Sequence, residues 1–121
     1  MPAIADITKI DAPSQAAAGE QVIVDVSIKN LTKIDQTMAV TAVFDSTNIP
    51  FQFDYLLVAP GQTVIMRGNL VMPSKNVKIT AWGWYWDFTK WVLDDTLTKN
   101  IALYVLSPEF ANFGITEYNK R

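Results

Sequence analysis

The sequence contains no cysteine and no histidine. Without thiols, no disulfide staples the domain and no thiolate nucleophile is available. Without imidazole there is no Ser-His-Asp relay, no Cys/His zinc site and no histidine general base. Carboxylates, lysines, tyrosines and hydroxyls are the groups left for chemistry, and no phosphate-binding loop accompanies them. Glycine and proline are modest, at five and six in 121 residues, so the chain is not of low complexity. Long runs of one charge are also missing. Ten basic residues are scattered among twelve acidic ones, the formal charge is −2, and no basic run suggests nucleic acid. The longest apolar runs fall far short of the roughly 20 residues that a membrane helix needs. The N-terminus "MPAIADITKI" lacks a basic segment followed by an apolar one, so no secretory signal is visible.

What is present is apolar surface arranged with a period of two. Half of the residues are hydrophobic, enough to build one core at this length. In "QVIVDVSIK", Val22, Val24, Val26 and Ile28 share one face, with Gln21, Asp25, Ser27 and Lys29 on the other and Ile23 as the exception there. That is the pattern of a half-buried strand. "IADITKID" precedes it, with a turn expected at Gly19. "MAVTAVFD", Met38 to Asp45, is apolar on both faces and is expected to lie centrally. "FQFDYLLV" alternates at Phe51, Phe53 and Tyr55, and Pro60-Gly61 marks a turn. "QTVIMRGNLVM" alternates at Val64, Met66, Leu70 and Met72, with Gly68 at a bulge or a close backbone approach. "VKITAWGWYWD" and "LTKNIALYVL" complete about seven strands, separated by turns every 8–12 residues, the pattern of an antiparallel β-sandwich. We expect one sandwich domain over residues 1–106 and a tail over 107–121. The tail's "SPEFANFG" offers Ser107 as N-cap, Pro108 at the first helical position and Gly114 as the stop, a short helix or arm carrying Phe110 and Phe113.

The order "ITKIDAP…AAGEQVIVDVSIKN…LVAPGQTVIMRGNL…VKITAW" resembles the CARDB-type branch of immunoglobulin-like sandwiches. Gly19-Glu20, Asn30 and Pro60-Gly61-Gln62 stand at the matching places, over about residues 5 to 105. The resemblance implies an all-β, immunoglobulin-like fold and a non-catalytic interaction or structural module. "WVLDDTLTKN" departs from the acidic, Asn-rich ending common in that family, and the tail has no counterpart there.

"AWGWYWDFTKW" gathers all four tryptophans into ten residues. If Val77, Ile79 and Ala81 face the core, Trp82, Trp84 and Trp86 share the opposite face. Three such residues make a stripe about 14 Å long. A monomer does not normally expose that much apolar surface. Three readings compete: core, by a register switch at Gly83 or by cover from the tail; a protein–protein interface, where Trp is favoured; or a carbohydrate platform of coplanar rings, with Asp87, Lys90 and Asp94 supplying hydrogen bonds. The expected binding residues are Trp82, Trp84, Trp86, Trp91, Phe110, Phe113 and Tyr118.

Asp94-Asp95 could contribute to a calcium site with Asp87. Adjacent strand residues point to opposite faces, so the plainer expectation is a solvated turn. No cofactor and no metal is expected, and no catalysis. The function expected is a structural subunit that binds other protein chains, as a homo-oligomer or in a virion or another surface assembly. A carbohydrate-binding module using the Trp82/Trp84/Trp86 stripe is the alternative.

Overall fold

A computed structural model describes residues 2–105, and every regular element among them is a strand. In chain order these are β1 (Ala5–Asp11), β2 (Gln15–Ala16), β3 (Gln21–Asn30), β4 (Gln36–Phe44), β5 (Thr47–Asn48), β6 (Leu56–Val58), β7 (Thr63–Val71), β8 (Val77–Trp86) and β9 (Trp91–Leu103). A smaller sheet has the order β1-β3-β7, and a larger one runs β2-β9-β8-β4-β5, with β6 also paired to β4. All pairings are antiparallel except β2 with β9.

Alternation drives the two sheets together. Val22, Val24, Val26 and Ile28 of β3 are all buried, as their spacing predicts. Met66 and Leu70 of β7 join them from the same sheet. Val77, Ile79 and Ala81 of β8, with Met38, Val40 and Ala42 of β4, close the core from the opposite side. Gly83 also faces inward, and a Cβ there would stand 3.0 Å from Ile7 Cγ1. The bare backbone lets β1 seat against the larger sheet. Gly68 is a close approach too: a Cβ would lie 2.8 Å from the Pro50 carbonyl oxygen.

β4 lies inside the larger sheet between β8 and the short β5 and β6, the central place its two-faced hydrophobicity predicts. The expected turns at Gly19 and Pro60-Gly61 are formed, with φ of +85° at Gly19 and +71° at Gly61. Two other differences concern where strands begin. Of "FQFDYLLV", only Leu56–Val58 is strand. Phe51 makes an isolated bridge to Gly68, and the Gln52 N–H donates to the Arg67 carbonyl, so this stretch crosses the sandwich edge from β4 to β7. The last strand starts at Trp91 rather than Leu97, absorbing the residues expected to turn. The tail expected over 107–121, with Phe110, Phe113 and Tyr118, lies outside the described residues.

Candidate functional site

β8 carries the aromatic cluster, and its register decides where the rings go. Thr41, Trp82 and Thr96 stand opposite one another across β4, β8 and β9, and Ala42, Ala81 and Leu97 form the next row. Ala81 and Gly83 point inward. Trp82, Trp84 and Trp86 therefore share the outer face of the larger sheet, each half-buried. The expected outward register holds. The ladder is indeed irregular beside Gly83, but the extra residue is Asp94 in β9: Gly83 pairs with Asp95 and Trp84 with Leu93. β8 itself keeps its alternation, so the rings stay outside.

Trp91 pairs with Trp86 at the end of the β8–β9 hairpin and is 38% exposed. Its ring meets that of Trp86 edge-on, centroids 5.5 Å apart at 64°. On its other side stands Tyr55, from the segment before β6, at 6.2 Å and 46°. Between Trp84, Trp91 and Tyr55 lies a depression of about 480 Å³, floored by Ala39 and Thr41 and edged by Asp54. A second hollow, of about 360 Å³, lies across the Tyr55–Trp91 pair, against Trp86 and Thr37. The Trp84 Nε1–H donates to Thr41 Oγ1 at 2.9 Å, which fixes the indole and uses its one donor. Trp82 belongs to a separate, smaller hollow of about 310 Å³ with Leu93, Asp94, Asp95 and Thr96. The site is thus Trp84, Trp86 and Trp91 of the expected set plus Tyr55, with Trp82 apart. Tyr55 is brought in only by the crossing segment, and no local pattern in the sequence links it to β8.

The polar groups near the cluster serve the fold. Asp87 Oδ1 accepts hydrogen bonds from Thr89 N–H, Thr89 Oγ1–H and Lys90 N–H, shaping the hairpin turn. Those bonds, the Thr89 hydroxyl first, hold its carboxyl below the usual carboxylate range. The same turn places Phe88 at φ +76°, with its side chain 80% exposed.

Asp94 and Asp95 do not form a turn. The bulge in β9 turns both carboxylates toward β1. Asp94 Oδ2 accepts from the N–H groups of Ile4 and Ala5, at 2.7 Å each, and of Ala3 at 3.1 Å. Asp95 Oδ2 accepts from Ile7 N–H at 2.8 Å. β1 is hydrogen-bonded to β3 on one edge, and these carboxylates take the place of a partner strand on the other. Asp6, beside them, has its carboxyl pushed above the usual range by burial first and then by the nearby Asp95 charge. Among the described residues, no group of three or more Asp, Glu, His or Cys side chains is placed to hold a metal ion.

No family model and no curated relative matches the sequence. Solved structures do match it in shape. The CARDB domain of a Pyrococcus furiosus protein, solved in complex with di-metal ions, aligns over 83% of this chain and 94% of its own, with 17% identity and a TM-score of 0.63. Native Escherichia coli alpha-2-macroglobulin aligns over 84% of this chain but 7% of its own length, at 18% identity and a TM-score of 0.62. A FixG-related protein from Vibrio parahaemolyticus aligns over 85% of this chain and 99% of its own, at 9% identity and a TM-score of 0.61. The likeness is one of fold. The chain is an immunoglobulin-like β-sandwich with the architecture of the CARDB domain, as its motifs implied, and the alpha-2-macroglobulin match shows the same architecture inside a much larger protein.

Proposed function

We propose that this chain is a non-enzymatic module that binds another protein chain through the outer face of its larger sheet, at Tyr55, Trp84, Trp86 and Trp91. The observation that carries this reading is the tilt of the rings. Sugars stack on coplanar aromatic faces, whereas Tyr55, Trp91 and Trp86 stand at 46° and 64° to one another. Tilted walls around an apolar hollow make a socket for an inserted side chain, the setting in which interface hot spots occur. Two of the polar groups expected to serve a glycan, Asp87 and Asp94, are engaged by backbone amides. The same engagement of Asp94 and Asp95 supports a non-catalytic role, since both carboxylates are committed to the amides of β1. A virion shell or another surface assembly is a setting that such a subunit suits.

Two probes test the reading side by side. A randomised peptide library displayed on phage should yield sequences with a shared aromatic or aliphatic anchor, whose binding is lost in Tyr55→Ala. A panel of soluble oligosaccharides should leave the tryptophan fluorescence unchanged. Saccharide-dependent fluorescence that disappears in Trp91→Ala, with no peptide enriched, would replace this reading with the glycan one.

A further inference from the structure

We propose that the socket is filled by the C-terminal segment of a second copy of this chain, with Phe110 and Phe113 as its anchors. The inference rests on the protein-binding reading above and names the partner.

The course of β9 is the starting point. β9 leaves the aromatic end of the sheet at Trp91 and runs to Leu103, where it is held by β2: Ala16 pairs with Leu103, and the Tyr104 N–H donates to the Ala16 carbonyl at 2.7 Å. The chain thus departs from the end of the sandwich opposite the socket. Leu103 stands nine ladder steps from Leu93, the partner of Trp84, with the bulge discounted. At about 3.3 Å per step, Trp84 lies roughly 30 Å back along the sheet, and Trp91 further still.

The reach of the following residues is bounded by covalent geometry. A fully extended chain spans at most about 3.5 Å per residue, so Phe110, seven residues past Leu103, reaches about 24 Å. The near edge of its own socket, at Thr41 in the row of Thr96, lies seven steps or about 23 Å back, and reversing direction after Tyr104 takes up residues that this length would need, so Phe110 falls short. Phe113, ten residues past Leu103, reaches about 35 Å only if the chain is straight and reverses direction at no cost in length. The outer face it would cross is polar, through Thr98 and Asn100 of β9 and Lys78 and Thr80 of β8. Another copy removes the constraint, because its socket can be brought to the segment. The segment "SPEFANFGITEY" supplies large apolar side chains, and the neighbour's socket supplies a hollow wide enough for a phenyl ring. Such a contact joins different surfaces on the two copies, so it gives a pair by reciprocal exchange, a ring where the rotation closes, or an open chain where it does not.

Complementation between two full-length variants tests this. One carries Phe110→Ser and Phe113→Ser with its socket intact. The other carries Tyr55→Ser with its segment intact; Tyr55 is 58% exposed, so the fold tolerates the change. Mass in solution is read by light scattering across protein concentrations. The wild type should associate, and each variant alone should do so at least about tenfold more weakly, the effect of losing a hot-spot contact worth about 1.4 kcal/mol or more. Mixing the two should restore a heteromeric complex through the one intact segment and the one intact socket. Self-association that survives the Phe110/Phe113 change but not Tyr55→Ser overturns this inference and leaves the socket as a protein-binding site with another occupant. A wild type that stays monomeric, with the Phe110/Phe113 variant melting lower at every concentration, overturns it in favour of cover within one copy through a longer path. A monomeric wild type whose stability ignores both changes overturns it too, and the peptide and saccharide probes then decide the wider reading separately.

Discussion

The Asn30 side chain is fully buried, and every polar atom on it has a partner. Its Nδ2 donates to the Ile34 carbonyl at 2.7 Å and the Val58 carbonyl at 2.9 Å, and its Oδ1 accepts from Thr32 N–H and Thr32 Oγ1–H. An amide can offer two donors and two acceptor sites, and all four are taken. The residue binds the β3–β4 connection to β6, so one side chain sets the path between the two sheets. Asn30→Ala should therefore cost about 3 kcal/mol, because it strands buried carbonyls as well as removing bonds. Asn30→Asp should be no better, since a carboxylate cannot donate to Ile34 or Val58. Urea unfolding of both variants measures this. Asp6 and Asp25 make opposite contributions with pH. Arg67 grips Asp25 through two bonds of 2.9 Å and lowers its pKa, so that stability is present above the ordinary Asp value and is lost as the pH falls through the folded pKa. Asp6 has a raised pKa in the fold, so its sign is reversed: stability declines as the pH rises from the ordinary Asp value through the folded one. Asp6→Asn should thus be more stable than the wild type at pH 7, by under about 1 kcal/mol after solvent screening, and the gain should vanish near pH 3. Thermal melts at the two pH values check it.

At the scale of the strand, β9 shows how one extra residue changes what its neighbours do. Adjacent side chains of a regular strand face opposite ways, and the Asp94-Asp95 pair reads as a turn on that rule. The bulge between Gly83 and Trp84 in the ladder breaks the alternation and aims both carboxylates at β1. Nothing local marks it, since its cause is the unpaired edge of a strand about 90 residues away. β3 is the contrary case. Its apolar face follows from alternation alone, because its pairing with β7 is regular and the irregularity in its pairing with β1 lies in β1, between Ile7 and Lys9. The stripe on β8 is legible for the same reason, whereas Tyr55 reaches the site through a crossing segment whose Phe51 and Phe53 imitate a strand. Asp94→Ala should release the first residues of the domain. The amides of Ile4 and Ala5 should exchange with solvent at least about tenfold faster, for a loss of about 2 kcal/mol locally. Amides in the middle of β3 should keep their protection. Hydrogen exchange followed by NMR separates the two sets, and equal acceleration across β3 would mean that the carboxylate supports the whole sandwich.

Across the whole molecule, the two outer faces differ in kind. The smaller sheet shows water single apolar side chains, Ile23, Ile65 and Val71, interspersed with Asp25, Ser27, Lys29 and the Arg67 guanidinium. Scattered residues of this sort are ordinary on a soluble surface. The larger sheet divides along its length: Lys78, Thr80, Thr98 and Asn100 occupy one half, and Trp84, Trp86, Trp91, Leu57 and Tyr55 gather in the other. The hairpin end of that half also carries Phe88, exposed and held at positive φ, a conformation that costs a bulky residue roughly 1 kcal/mol or more. Alternation in the sequence locates the outer face, but it does not reveal that the apolar residues segregate to one half, because β4, β6 and the crossing segment contribute to it from distant positions. Segregation makes a thermodynamic prediction. A partner that binds only the folded chain stabilises it by mass action, so when the partner is a second copy the melting temperature climbs with protein concentration. At a concentration 100 times the dissociation constant the gain is about 2.7 kcal/mol, or about 4–8 °C for each kcal/mol in a domain of this size. Tyr55→Ser should flatten that dependence, while Ile65→Lys on the other face should leave it intact. A melting temperature that is constant from micromolar to millimolar chain, with all four indoles open to acrylamide quenching throughout, would show that no copy of the chain covers the aromatic half.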